Sequence, residues 1–338
     1  MKDVFEKIMQ LESNPALSKH DQLVQGIINA IDEKIIARND ALPSVNAMIN
    51  GVGFARETIM KAYRELASRG IVESRNRVGF YIANTKTGQR LRVALLMYAI
   101  DTFQEQFYRS FRKELGPDIH LDVFFHHGNI EVFETILSLM RGKYGMYVVS
   151  PIPHPRTKEL LRDIPAGKFI MFDRYEPLDV EHSYVVQEFA KSSYNTFVEL
   201  YESIKAFDEI IFFYQSGSLV PVEIVRSFKK FLKKYGVKGK ILPEYQPGSL
   251  EKGKVYYTND NTELYAIIKD SRTKRLEPGK DIGILSHNDE PVKEIIAEGV
   301  TTFSTDFAEM GKQTARFILS REPVYKVIPT KLIRRRSL

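Results

Sequence analysis

The feature that most constrains this chain is a change of hydrophobic period near Leu91. Before it the apolar residues follow a helical rhythm. Leu23, Ile27, Ile28, Ala30 and Ile31 recur at three- and four-residue steps, as do Ile59, Ala62, Tyr63 and Leu66, so each set makes one buried stripe. After it, short apolar runs alternate with helical segments for some 245 residues. The strand-like runs are 92–97, 120–125, 145–149, 168–172, 184–187, 209–214, 254–258 and 281–286, and helical periodicity marks 103–115, 130–140, 189–204, 222–234 and 307–319. Such alternation predicts an α/β fold with one doubly wound parallel sheet or two, whose ligands bind at the carboxyl ends of the strands.

At 338 residues the chain has room for about two domains. The expected division is a largely helical domain over 1–83, a polar linker over 84–90 and an α/β domain over 91–338. There are no cysteines, which excludes disulfides, thiolate metal sites and cysteine nucleophiles. The charged first residues lack the apolar core of a secretory signal, and no apolar run approaches the roughly 20 residues of a membrane span. The expectation is a cytoplasmic protein with no membrane contact.

The net charge of +6 is concentrated. Between Phe54 and Arg92 nine Lys or Arg face three Glu, so this stretch carries the whole excess. Clustered positive charge fits a polyanion partner. Lys331, Arg334, Arg335 and Arg336 form a second cluster, read as a solvated tail.

Leu42 Pro43 Ser44 interrupts the helical region, with Ser44 placed to cap a helix from about Val45 to Asn50. Gly51, Gly53 and Phe54 make a corner, a second helix covers 55–69, and Gly70 ends it. This is a helix-turn-helix. The hairpin expected over 71–82 is its wing. With Ile59, Ala62, Tyr63 and Leu66 buried, Arg56, Glu57, Met60, Lys61 and Arg64 point outward, and the start of the second helix is the part that enters a major groove. Arg56 is the base-reading candidate, with Thr58 and Lys61 beside it. Read singly, Glu57 and Lys61 are also compatible with a surface ion pair.

The run 42–44, the run 55–66 (Ala Arg Glu Thr Ile Met Lys Ala Tyr Arg Glu Leu) and Gly70 Ile71 Val72 resemble the signature of GntR-type winged-helix regulators over residues 18–83. The resemblance implies that Ser44 touches phosphate, that Arg56 and Thr58 meet the operator, and that Arg77 and Gly79 form the wing tip at the minor groove. This chain departs from the usual pattern at Asn46, Ala55, Met60 and Arg77.

The remainder resembles the sugar-binding core of LacI-type repressors, a type I periplasmic-binding-like fold. The resemblance is carried by residues 168–174, 256–260, 282–289 and 301–307. Hybrids of this kind resemble the arabinose repressor class, and this chain is most similar within it to regulators of L-fucose use. A neutral polyol requires amides, carboxylates and guanidinium groups for its hydroxyls and aromatics for its faces. Polar pairs follow three strands: Asp173 with Arg174, Asn259 with Asp260, and Asn288 with Asp289. Asp101 and Phe103 follow the first strand, and Ser150 and Glu223 complete the candidates. Such residues also cap helices and build turns. Ile224 stands where the resemblance expects an arginine.

No cofactor is expected. His126 and His127 are adjacent, so in a strand they face opposite ways and cannot share a metal, and no phosphate-binding glycine motif or nucleophile elbow occurs. The reading is a sugar-responsive transcription regulator, a repressor that binds double-stranded operator DNA as a homodimer. The rival is a DNA-tethered α/β enzyme acting on a sugar or nucleotide. A periplasmic solute-binding protein is a third reading, disfavoured by the N-terminal helices.

Overall fold

A computed structural model describes all residues except 1, 13–16, 76–78, 86–90, 101, 118, 141–143, 163, 165 and 216–219. Arg77 and Asp101 therefore lie outside the described residues.

The N-terminal part comprises α1 (Lys2–Met9), α2 (Lys19–Asp32), α3 (Val45–Val52), α4 (Arg56–Ser68), β1 (Val72–Arg75) and β2 (Gly79–Ile82). The two helical stripes read from the sequence meet in one core, where Leu23, Ile27, Ile59, Tyr63 and Leu66 are fully buried. Ser18 caps α2 and Ser44 caps α3, its oxygen accepting from the Ala47 amide at 3.1 Å. Gly53 then takes the left-handed conformation that a side chain disfavours, which turns the chain between α3 and α4. The Tyr63 hydroxyl donates to the Pro43 carbonyl at 2.6 Å, tying the turn before α3 to the middle of α4. Strands β1 and β2 pair antiparallel, Arg75 opposite Gly79.

Two lobes follow. The first contains β3 (Arg92–Met97), α5 (Thr102–Leu115), β4 (His120–Phe125), α6 (Ile130–Met140), β5 (Met146–Val149), α7 (Thr157–Leu161), β6 (Phe169–Asp173) and β7 (Ser183–Gln187). The second contains α8 (Ala190–Glu199), α9 (Tyr201–Lys205), β8 (Glu209–Phe213), α10 (Val222–Tyr235), β9 (Gly239–Leu242), β10 (Lys254–Thr258), α11 (Asn261–Lys274), β11 (Gly283–His287), α12 (Pro291–Ile295) and β12 (Thr301–Thr305). The chain then returns to the first lobe through α13 (Phe307–Ser320) and β13 (Tyr325–Ile328) and crosses once more to β14 (Thr330–Ile333) in the second. The sheet orders are β13-β7-β6-β5-β3-β4, parallel throughout, and β14-β12-β11-β10-β8-β9, parallel except for β14 on β12. Helices on both faces explain why the central strands are apolar runs without alternation, as in β3 and β11.

Two expectations are corrected. The helical period over 189–204 is broken at Leu200 into α8 and α9. The basic C-terminus is not a solvated tail: β14 closes the second sheet and Ser337 is fully buried, donating to the Ile284 carbonyl at 2.7 Å. Arginine-rich sequence reads as solvent, yet here the backbone, Ser337 and the guanidinium groups of Arg335 and Arg336 all hydrogen-bond to the second lobe. No helix among the described residues is long and apolar enough to cross a membrane.

Candidate functional site

Two places gather candidate residues. In the N-terminal part, Arg56, Glu57, Lys61 and Arg64 are exposed along one side of α4 and Thr58 is half-buried. Arg56 opens that helix and its guanidinium donates to Asn46 Oδ1 on α3 at 3.2 Å, so the residue is held at the turn. Ala55, the N-cap residue, offers no side-chain acceptor, which leaves the first N–H groups of α4 to solvent or to an anion. Ser44 accepts through its oxygen in capping α3, and its hydroxyl proton is still available to a phosphate. Gly79 begins β2 at the described end of the wing, exposed and at positive φ.

Between the lobes lies a cleft of about 700 Å³, within the range of small-molecule sites. Its wall is formed by residues at or just beyond the ends of strands: Tyr98 after β3, Ser150 after β5, Asp173 ending β6, Tyr214 after β8, Asn259 after β10, and His287 with Asn288 at the end of β11. Of the ligand candidates, Phe103, Ser150, Asp173, Arg174, Asn259 and Asn288 line this one cleft. Asp173 and Asn288 both have positive φ, a conformation that Asn and Asp tolerate better than other residues with side chains. The Ser150 hydroxyl donates to Asp173 Oδ2 at 3.4 Å and the Gln187 amide donates to Asp173 Oδ1. The Asn259 amide lies buried beside the Tyr257 hydroxyl, and its Oδ1, like Oδ1 of Asn288, is buried without a hydrogen-bond donor. Unpaired buried amide oxygens cost about 1–3 kcal/mol each, so their place beside an open cleft marks where a ligand's polar groups fit.

Lys293 supports this wall from behind. Almost wholly buried on α12, its ammonium donates to Ser286 Oγ and to the carbonyls of His287 and Asn288 at 2.8–3.0 Å, fixing the turn that presents Asn288. His287 stacks on Phe303 with centroids 4.5 Å apart. Burial, helped by Lys293 and Arg174, pushes its imidazole down to about 3. His126 is likewise pushed down to about 4, chiefly by burial. Both rings are neutral at pH 7. Burial raises the Glu263 carboxyl from its ordinary value although it accepts from Thr258 and from the Tyr245 amide. Arg174 packs against the Phe189 ring at 5.6 Å.

Two ligand candidates stand elsewhere. Asp289 turns away from the cleft: Arg335 holds both its carboxylate oxygens, at 2.6 and 3.0 Å, and Thr302 donates to it at 2.7 Å. Burial alone would raise its carboxyl, but Arg335, Thr302 and Lys293 together outweigh that and lower it. Glu223 lies in the first turn of α10, outside the cleft lining. Asp260 caps α11, accepting from the Glu263 amide at 2.9 Å. The sequence reading also missed lining residues. Gln187 and His287 each end a strand, the position already used to choose Asn259 and Asn288, whereas Tyr245 comes from a loop that carries no such signal.

Residues 19–82 match the family described as bacterial regulatory proteins, gntR family. An HTH-type transcriptional regulator of Mycobacterium tuberculosis is 36% identical over 63 residues, 19% of this chain and 52% of that protein. The chain thus spans about half the length of the curated relative it matches. Among solved structures, the trehalose repressor of Escherichia coli aligns with TM-score 0.61 at 13% identity, covering 72% of this chain and all of the other. A LacI-family transcriptional regulator from Enterococcus faecium with bound ribose aligns with TM-score 0.60 at 14% identity over 73% of this chain and 98% of the other. One from Lactobacillus casei with bound glucose aligns with TM-score 0.59 at 14% identity over 73% and 99%. At these identities the likeness is one of fold. The chain joins a gntR-family helix-turn-helix domain at residues 19–82 to a two-lobed body with the fold of LacI-family regulators.

Proposed function

We propose that this protein is a transcription regulator whose interlobe cleft binds a carbohydrate and whose winged helix binds operator DNA, the first controlling the second. The observation that carries the reading is the pair of buried amide oxygens without a donor, on Asn259 and Asn288, two residues that line the cleft of a chain whose residues 19–82 match the gntR family. Amides pair with hydroxyls as both donor and acceptor, and Phe103, Tyr98 and Tyr214 supply faces for a sugar ring. Asp173, Glu244, Asp260 and Glu263 outnumber Arg174 among the charged lining residues. That balance favours an uncharged sugar over its phosphate. L-Fucose, ribose and glucose are the first saccharides to try, the latter two because they occupy the same fold in the neighbours.

On DNA, Arg56 reads a base edge, Thr58, Lys61 and Arg64 flank it, Ser44 donates to phosphate, and the wing carrying Arg77 and Gly79 enters the minor groove. One winged helix spans few base pairs, so the regulator acts as a homodimer on two half-sites about one helical turn apart, and the sugar releases it as a repressor. His126, the buried imidazole on the cleft wall, hydrogen-bonds through Nε2 to the Ser150 carbonyl and accepts from the Gly128 amide at Nδ1.

The test is a pair of substitutions in the full chain. Arg56→Ala should weaken operator binding by roughly 5- to 150-fold, the range for one lost bidentate base contact, and leave the sugar's thermal shift intact. Asn259→Ala should abolish that shift and spare operator binding. Equal loss of both functions in either variant overturns the modular reading, and turnover of the sugar favours the enzyme.

A further inference from the structure

The lobes are joined by three crossings of the chain, from β7 to α8, from β12 to α13 and from β13 to β14. Each crossing contributes one polar side chain to the same point: Gln187 at the end of β7, Thr305 at the end of β12 and Thr330 at the start of β14. Thr305 Oγ1 donates to Gln187 Oε1 at 2.7 Å. Its only proton is then committed, so in the 3.2 Å contact between the two threonine hydroxyls Thr330 is the donor. The other end of the Gln187 amide donates to Asp173. The result is a chain of hydrogen bonds running one way, Thr330 to Thr305 to Gln187 to Asp173, from the third crossing to a carboxylate on the cleft wall. Thr305 is 3% exposed, so water does not replace a bond lost there.

We propose that Gln187, Thr305 and Thr330 form a hinge latch that holds Asp173 ready for an effector hydroxyl and transmits its occupancy to the angle between the lobes. The inference rests on the carbohydrate reading of the cleft. Lobe closure rotates the chain at the crossings, where a small dihedral change displaces Thr305 and Thr330 from Gln187, so the bonds survive over a narrow range of interlobe angles. A ligand that fixes the Asp173 carboxylate fixes the amide anchored on it and thereby favours some of those angles over others. Gln187, Thr305 and Thr330 are positioning residues: the two threonines stand outside the cleft lining, and Gln187 acts through Asp173.

The experiment is calorimetric titration of the full chain with whichever of L-fucose, D-ribose and D-glucose most raises the wild-type melting temperature. Thr305→Val keeps the side-chain shape and removes the hydroxyl. It should weaken binding about tenfold, while Thr305→Ser retains wild-type affinity. In an Asp173→Asn background, where the far end of the latch is altered, Thr305→Val should have little additional effect. Thr330→Val, at a less buried position, should reproduce the loss in part should Thr305→Val fold poorly. Sugar binding by wild type that is equally strong in Thr305→Val, or losses that simply multiply in the double variant, overturns the latch and leaves the carbohydrate reading standing. A wild type that binds none of the sugars overturns that reading and the latch with it.

Discussion

His20 sits where the helix-turn-helix domain meets the first lobe. Its Nδ1 lies 3.4 Å from Asp21 Oδ1 and its Nε2 3.0 Å from Glu65 Oε2, while Arg69 holds the other oxygen of Glu65 and Lys168, from the first lobe, reaches Asp21. Burial alone would lower the imidazole, but the two carboxylates outweigh it and raise it above 6.5. A raised folded value means that the stabilisation is complete below about 6.5, the unfolded value, and is lost as pH climbs through the folded one. Asp21 and Glu65 are both lowered despite burial, with the His20 contact the largest opposing cause, so their contribution is present at neutral pH and lost in acid. The melting temperature should therefore fall between pH 6 and pH 9 in wild type and lie flatter over that range in His20→Asn. An identical pH profile in the variant contradicts the assignment. At this scale the sequence was legible where one residue's position follows from its spacing: Arg56 at a helix start, Asn259 and Asn288 just past strand ends. It was illegible where a partner far along the chain decides. Asp289 has the same local signal as Asn288, but Arg335, forty-six residues away, takes its carboxylate.

Among the elements, the βαβ rhythm located most of the strands because both sheets are covered on two faces and their strands are apolar runs. The edge strands β9, β13 and β14 escaped that reading because half-exposed positions interrupt the apolar run, as the exposed Tyr325, Lys326 and Val327 of β13 show. Helix packing was less legible still, since it depends on close approach. Gly311 of α13 lies so near α5 that a Cβ there would stand 2.5 Å from the Phe107 carbonyl oxygen and 2.9 Å from the Phe111 nitrogen. Those are backbone atoms, which cannot rotate away. Gly311→Ala must push the two helices apart, and overpacking of this kind costs about 1–3 kcal/mol. A lowered urea midpoint at unchanged slope is the expected result, and an unchanged midpoint contradicts the packing described.

Across the whole molecule, β6 links the two proposed sites. Lys168, immediately before it, grips Asp21 of the helix-turn-helix domain, and Asp173, its last residue, lines the cleft. A five-residue strand is a rod of about 17 Å, so the grip on the helix-turn-helix domain and the cleft wall belong to one rigid element. The charge excess around α4 and the wing sits on the domain so held. The central claim, that a sugar in the cleft changes the grip on DNA, is tested most directly by fluorescence anisotropy. The full chain is titrated onto its selected operator duplex, at one salt concentration, with and without the sugar that binds it. The account predicts operator affinity lowered by about 5- to 150-fold when sugar is present, and sugar affinity lowered by the same factor when operator is present, as linkage requires. Sugar that binds the cleft tightly yet leaves the operator isotherm unmoved contradicts it.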